Sequence, residues 1–206
     1  AVELVDVRGT GTSALVWSEA ADWAKPLPVR YVDLALEKPH LLVEVDNGVG
    51  LVTRLAYEAS TGQYLRDRAA GRPWLTRLPF PVQVVTRIET ADLVAGRRFV
   101  QRFAYHHGYY DGVEREMRGF AAVDRWDTEA FDADGDAALF ELELFETVEA
   151  GLHQPPVHTR SWFHTGAYPG GVSLAQQLAR EYFAGDPAAW SLPDTVMPAG
   201  LDLDDA

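Results

Sequence analysis

Between Val82 and Glu129 the chain carries an ordered series of alternating apolar and polar residues, and this constrains its fold more than any other feature. Side chains on a strand alternate between the two faces with a period of two, so such runs specify strands with distinct faces. Pro79 and Pro81 set off a predicted strand over Val82–Thr90, in which Val82, Val84, Thr86 and Ile88 share one face. Its predicted partner, Arg98–His107, places Phe99, Phe103 and Tyr105 together, with Ala95-Gly96 as the turn. A third strand starts near Val113, where Met117 and Phe120 fall out of phase. A bulge at Arg118-Gly119 reconciles them. Strands of this length rise about 3.3 Å per residue and reach roughly 30 Å, well beyond the usual five or six residues.

The flanking segments read as further strands. Val2–Trp17 contains VELVDV and SALVW around Arg8-Gly9-Thr10-Gly11-Thr12, where glycine supplies the backbone freedom of a tight turn. Pro26 and Pro28 mark a linker, followed by strands at Val29–Leu36, His40–Val45 and Leu51–Tyr57, the last two joined by Asn47-Gly48. Ala137–Val148 alternates Phe140, Leu142 and Leu144 with Glu141 and Glu143, which predicts a strand with an acidic face. Ser173 is placed to cap a helix running to Phe183, ended by Gly185, Asp186 and Pro187. The expected fold class is therefore mainly β, with long antiparallel strands, an N-terminal strand pair and one C-terminal helix.

Composition narrows the function classes. The 206 residues carry a formal net charge of −13, which argues against nucleic-acid or anionic-membrane surfaces that need clustered Lys and Arg. A hydrophobic content of 47% suffices for a sizeable core. With no cysteine, disulfides, thiol catalysis and thiolate metal sites are excluded. No apolar run approaches the ~20 residues that span a bilayer. The abrupt strand-like start at Ala1 suggests a piece of something longer.

Candidate chemistry is sparse. His106, His107, His153, His158 and His164 invite a metal reading, but neighbouring strand residues such as His106 and His107 point to opposite faces. Asp132, Asp134 and Asp136 superficially follow a calcium loop. Gly135 precedes the third acidic position instead of following it, and Glu143 falls in a predicted strand, so an acidic turn is expected. Asp6 alone is too few oxygens for calcium in the Arg8–Thr12 loop. Glu114 and Glu116 form an ordinary solvated pair, and Ser161 lacks a nucleophile elbow. Trp126, Trp162, Tyr109 and Tyr110 could make a sugar platform, although alternating aromatics more often line a sheet. No catalytic, cofactor-binding or metal residue is assigned, and no cofactor is expected.

Beyond these local patterns, GRPWLTRLPFPVQVV and RFAYHHGYYDGVEREMRGFAAVDRWDTE resemble the TcdB middle region of the B component of insecticidal Tc toxin complexes, a segment associated with SpvB and Rhs/YD-repeat sequences. PHLLVEVDNGVGLVTRLAYEASTGQYLRD, HTRSWFHTGAY and LPDTVMPAGL extend the resemblance over nearly the whole chain. DVRGTGTSALVW resembles the closing strands of an FG-GAP-type propeller blade. The resemblance implies residues 1–20 ending a propeller-like blade, 29–150 a middle β region and 151–206 its C-terminal part with a short helix. It also implies a non-catalytic segment of a secreted, toxin-enclosing, Rhs-type shell. The implied partners are the Rhs-type C component and the pore-forming A component, with no nucleic acid and no direct membrane insertion. The alternative is a carbohydrate- or receptor-binding β module, and a third possibility a metal-dependent hydrolase.

Overall fold

The computed structural model describes residues 2–18, 29–127, 138–140 and 155–167. Within them, β1 (Val2–Val5), β2 (Ala14–Ser18) and β3 (Val29–Asp33) form a three-stranded antiparallel sheet in that order. A second sheet of six strands runs β4 (Glu44–Asp46), β5 (Leu51–Ala59), β6 (Gln83–Asp92), β7 (Arg97–Asp111), β8 (Glu116–Asp127) and β9 (Val157–Trp162). Every pairing is antiparallel. The fold is mainly β, as the alternation predicts. The predicted strands appear with shifted ends, and at 15 residues β7 extends about 50 Å. The segment 137–148 is described only at 138–140, outside any strand, and the Ser173–Phe183 helix lies outside the described residues.

Turn chemistry fixes the hairpins. Asp92 Oδ1 accepts the amides of Val94 and Ala95, and Asp111 Oδ1 accepts those of Val113 and Glu114. Asp46 and Asn47 do the same for the β4–β5 turn. In the β1–β2 loop, Asp6 accepts the amides of Thr10 and Gly11, so its carboxylate is engaged by the turn itself. Lys38 Nζ and Gln83 Nε2 donate to the carbonyls of Gly11 and Thr10, which ties this loop to the larger sheet.

Two bulges set which residues face which way. In β8, Tyr109 pairs with Gly119 and Tyr110 with Met117, so Arg118 is the extra residue, at the expected Arg118-Gly119 position. A second bulge was not expected. Ala56 pairs with Arg87 and Tyr57 with Val85, which leaves Thr86 unpaired in β6 and flips the phase there. Val84 and Ile88 therefore do not share a face, because the extra β6 residue shifts the alternation by one. Val84, Arg87, Glu89 and Ala91 are the buried set.

Among the described residues one helix, α1 (Ser60–Ala69), follows β5 and packs on the sheet at β7. The sequence signals it poorly. Its N-cap is Ala59 with no side-chain bond, no acidic residue lies in its first turn, and the residues it buries are Ser60, Gln63 and Asp67. A polar buried stripe carries none of the apolar periodicity by which helices are recognised.

The faces of the large sheet invert the usual arrangement. The covered face, beneath α1 and residues 138–140, holds Arg87, Glu89, Arg98, His106 and Asp124 beside Val52, Ala91 and Val100. Its residues include Glu89 and Ala91 at 0% exposure and Asp124 at 3%. The opposite face carries Val45, Leu51, Phe99 and Val157, exposed by 48%, 42%, 60% and 60%. Half-buried Leu55, Ile88, Phe103 and Val123 lie among them.

Candidate functional site

Two ionic networks sit on the covered face, each built by cross-strand neighbours. In the first, His106 on β7 lies between two carboxylates: its Nδ1 is 2.6 Å from Asp67 on α1, and its Nε2 is 3.1 Å from Asp124 on β8. Asp124 also receives Arg160 Nε at 2.5 Å and His158 Nε2 at 2.9 Å, both from β9, while Arg160 Nη2 grips its other oxygen. Asp67 takes the indole N–H of Trp74 at 2.7 Å. His158 in turn stacks on Trp126, ring centroids 4.8 Å apart and nearly parallel. Four separate elements thus converge on two carboxylates.

Electrostatics follows from this geometry. Burial alone would lower the pKa of His106, but carboxylates on both ring nitrogens outweigh it and raise the value from 6.5 to about 9. Burial pushes Asp124 up, yet Arg160, His106 and His158 hold it far below the ordinary carboxylate range. Asp67 is lowered by His106 and Trp74 against the same opposing burial. At neutral pH the core of the network is Asp67⁻, His106⁺, Asp124⁻ and Arg160⁺. Since the folded His106 pKa lies above the unfolded one, its contribution is complete below pH 6.5 and is lost as pH rises to about 9. Allowing for solvent screening, the loss amounts to about 2 kcal/mol. Urea midpoints taken across that window should fall with pH, and the slope should shrink in His106→Gln. An unchanged slope would remove His106 as its source.

The second network centres on Glu89. Its Oε1 accepts Arg87 Nε at 2.5 Å and the Leu139 amide at 2.9 Å, and its Oε2 accepts Arg98 Nη1 at 3.1 Å. Arg54 Nη1 donates to the Leu139 carbonyl at 2.7 Å, and its guanidinium lies 4.3 Å over the Phe140 ring. Phe140 completes a small apolar cluster with Val52 and Ala91.

His106 and His107 do not point apart as strand alternation predicts. His107 has a φ of 55°, in the left-handed region, and both histidines line one small cavity with Asp67, Arg72 and Arg160. Among the described residues no group of three or more His, Asp or Glu is disposed to hold a metal ion. Trp126 and Trp162 share the covered face but are engaged by His158 and Arg160, while Tyr110 packs edge-on to Phe80. Glu114 lies in the β7–β8 turn and Glu116 opens β8. Asp132, Asp134, Asp136, Glu143 and His153 lie outside the described residues. Sequence reasoning missed Asp67, Glu89, Asp124 and Arg160. For Asp124 and Arg160 the signal was available as opposite charges inside otherwise alternating strands.

Gly108 marks the tightest packing of this face. A Cβ there would meet Trp74 Cζ3 at 2.7 Å, Leu78 Cδ2 at 2.9 Å and Phe120 Cε1 at 3.0 Å. Gly108→Ala should destabilise by about 1–3 kcal/mol through overpacking, read as a lower urea midpoint. A neutral result would show that the Trp74 loop yields freely.

The described residues thus form an extended antiparallel sheet braced on one face by two ionic networks. Among the described residues no helix is long and apolar enough to cross a membrane. Residues 1–142 match the family described as insecticide toxin TcdB middle/N-terminal region, and the chain belongs to that family. A Tc holotoxin pore of Photorhabdus luminescens, with a mutation in TccC3, superposes on 90% of this chain at 29% identity and a TM-score of 0.67. The crystal structure of TcdB2-TccC3 covers 89% at 27% identity and a TM-score of 0.64. That of TcdB2-TccC3-Cdc42 covers 81% at 30% identity and a TM-score of 0.62. The chain spans about 8% of the first two matched chains and 7% of the third. No curated protein matches it.

Proposed function

We propose that this chain is a non-catalytic wall segment of a toxin-enclosing shell, acting within a Tc toxin B component to support encapsulation and delivery of a cytotoxic cargo. The observation that carries this reading is the match of fold and sequence to chains solved in TcdB2-TccC3 and Tc holotoxin structures, over most of the chain. Long strands cross-braced by ion pairs suit a wall. The ionic groups described above bond to one another, which fits bracing better than turnover. In this reading residues 1–20 end a propeller-like blade, 29–150 form the middle β region and 151–206 its C-terminal part. The partners are an Rhs-type C component and the pore-forming A component, and the assembly is secreted.

The test is to express the complete gene product with an Rhs-type C component. A large complex holding a protease-protected, unfolded segment is the expected outcome. A B-type protein that stays free of the C component, or a complex that protects nothing, would overturn the reading.

A further inference from the structure

The open face of the six-stranded sheet carries an apolar residue on every strand, from Val45 on β4 through Leu51 and Leu55, Ile88, Phe99 and Phe103, and Val123 to Val157 on β9, interleaved with polar residues such as Arg97 and Thr159. Five of its polar members bond among themselves. Thr53 and Thr90 share a hydroxyl contact at 3.2 Å, and Asp127 takes Gln101 at 3.0 Å and Arg125 at 2.8 Å. A sheet with one apolar face is stable when that face is buried against a second layer, and continuous exposed apolar surface marks an interaction site. Among the described residues, α1 and residues 138–140 cover the charged face, while Phe99 and Val157 on the open one are each 60% exposed.

We infer that this face is a fixed interface, covered by another part of the same polypeptide from outside the 206 residues. Length favours that occupant: this chain spans only 8% of the matched holotoxin chain, so the greater part of such a polypeptide lies beyond this segment. A layer in the same chain reaches the face at high effective concentration, without association from dilute solution. The inference rests on the chain being one segment of a larger shell protein, as proposed above.

Cysteine labelling tests it, because the chain itself has no cysteine. Phe99→Cys and Val157→Cys report on the open face, and Val113→Cys, at a 67% exposed position in the β7–β8 turn, serves as the reference. All three are introduced singly into the complete gene product, freed of other cysteines, and treated with a maleimide under native conditions. The expected result is rapid labelling of the Val113→Cys reference and labelling at least about tenfold slower of the two face variants, restored by denaturant. Two reporters on different strands guard against one variant misfolding. Equal rates in all three variants would overturn the inference. So would protection that grows with protein concentration, which would indicate a second copy, or that appears only with the C component, which would indicate a partner chain. A gene product no longer than this chain would also overturn it. Failure of the shell reading is separate, since it is scored by complex formation with the unmodified protein.

Discussion

Asp124→Ala is expected to lower the unfolding free energy by about 3–5 kcal/mol, measured as a shift in urea midpoint. The size follows from what the substitution leaves behind. Asp124 is 3% exposed and receives Arg160, His106 and His158. Removing it takes from Arg160 its bidentate carboxylate and from His106 one of its two carboxylates in a poorly solvated site, a cost larger than the net worth of the pair itself. The same variant should weaken the alkaline fall in stability, because His106 loses one of the two carboxylates that raise its pKa to about 9. Arg160→Ala combined with Asp124→Ala should cost clearly less than the two single changes added together. Strict additivity would mean that the two residues do not act as a unit.

How much of this was legible depended on which physical signal each residue carried. Strands with polar and apolar alternation, such as β7 and β8, could be read, and so could the Arg118 bulge, because Met117 and Phe120 break phase visibly. The bulge at Thr86 was not read, since Val82, Val84, Thr86 and Ile88 fit a period of two, although the adjacent Val84 and Val85 break the apolar-polar alternation there. Only the pairing partners show that Val84 belongs with Arg87. Helix α1 was hidden because the stripe it buries, Ser60, Gln63 and Asp67, is polar. The hairpins repeat one device that the sequence does display: Asp46, Asp92 and Asp111 each open a turn whose fifth residue, Gly50, Gly96 or Arg115, has positive φ.

The site was harder than the fold for a specific reason. Hydrophobic patterning assigns the apolar side of a strand to the core, and here that assignment is inverted. Phe99 and Ile88 were natural core candidates, and Glu89, Arg98 and Asp124 natural surface ones. The structure buries the second set because each charge meets its counter-charge on an adjacent strand or on α1. Such complementarity spans 36 residues between Asp124 and Arg160, and no local period can reveal it. The family resemblance, in contrast, was carried by long ordered motifs and was independent of which face is covered.

Glu89→Ala should be as damaging as Asp124→Ala, costing about 3–5 kcal/mol, and a companion variant separates two explanations of why the network exists. Glu89 is 0% exposed, with Arg87 and Arg98 on its oxygens and the Leu139 amide as a further donor. Losing it leaves two buried cations facing each other and releases the tether that seats Phe140 on Val52 and Ala91. The Leu139 amide should then exchange with solvent at a rate nearer that of an open loop. Replacing the whole triad by Arg87→Met, Glu89→Leu and Arg98→Met removes all three charges at once, and the Leu139 amide is the described donor that loses its acceptor. If the ions serve mainly to stabilise, the triple variant should also fall by several kcal/mol. If they serve to specify which face of the sheet is covered, its stability should be close to that of the parent or above it. The part of the covered face around Val52, Ala91 and Val100 would then be more apolar, and the variant should self-associate at concentrations where the parent does not. The specifying role is the expected outcome, because a sheet with an apolar outer face needs a charged inner one to keep α1 and residues 138–140 on the correct side. A triple variant that is strongly destabilised yet monomeric would refute it.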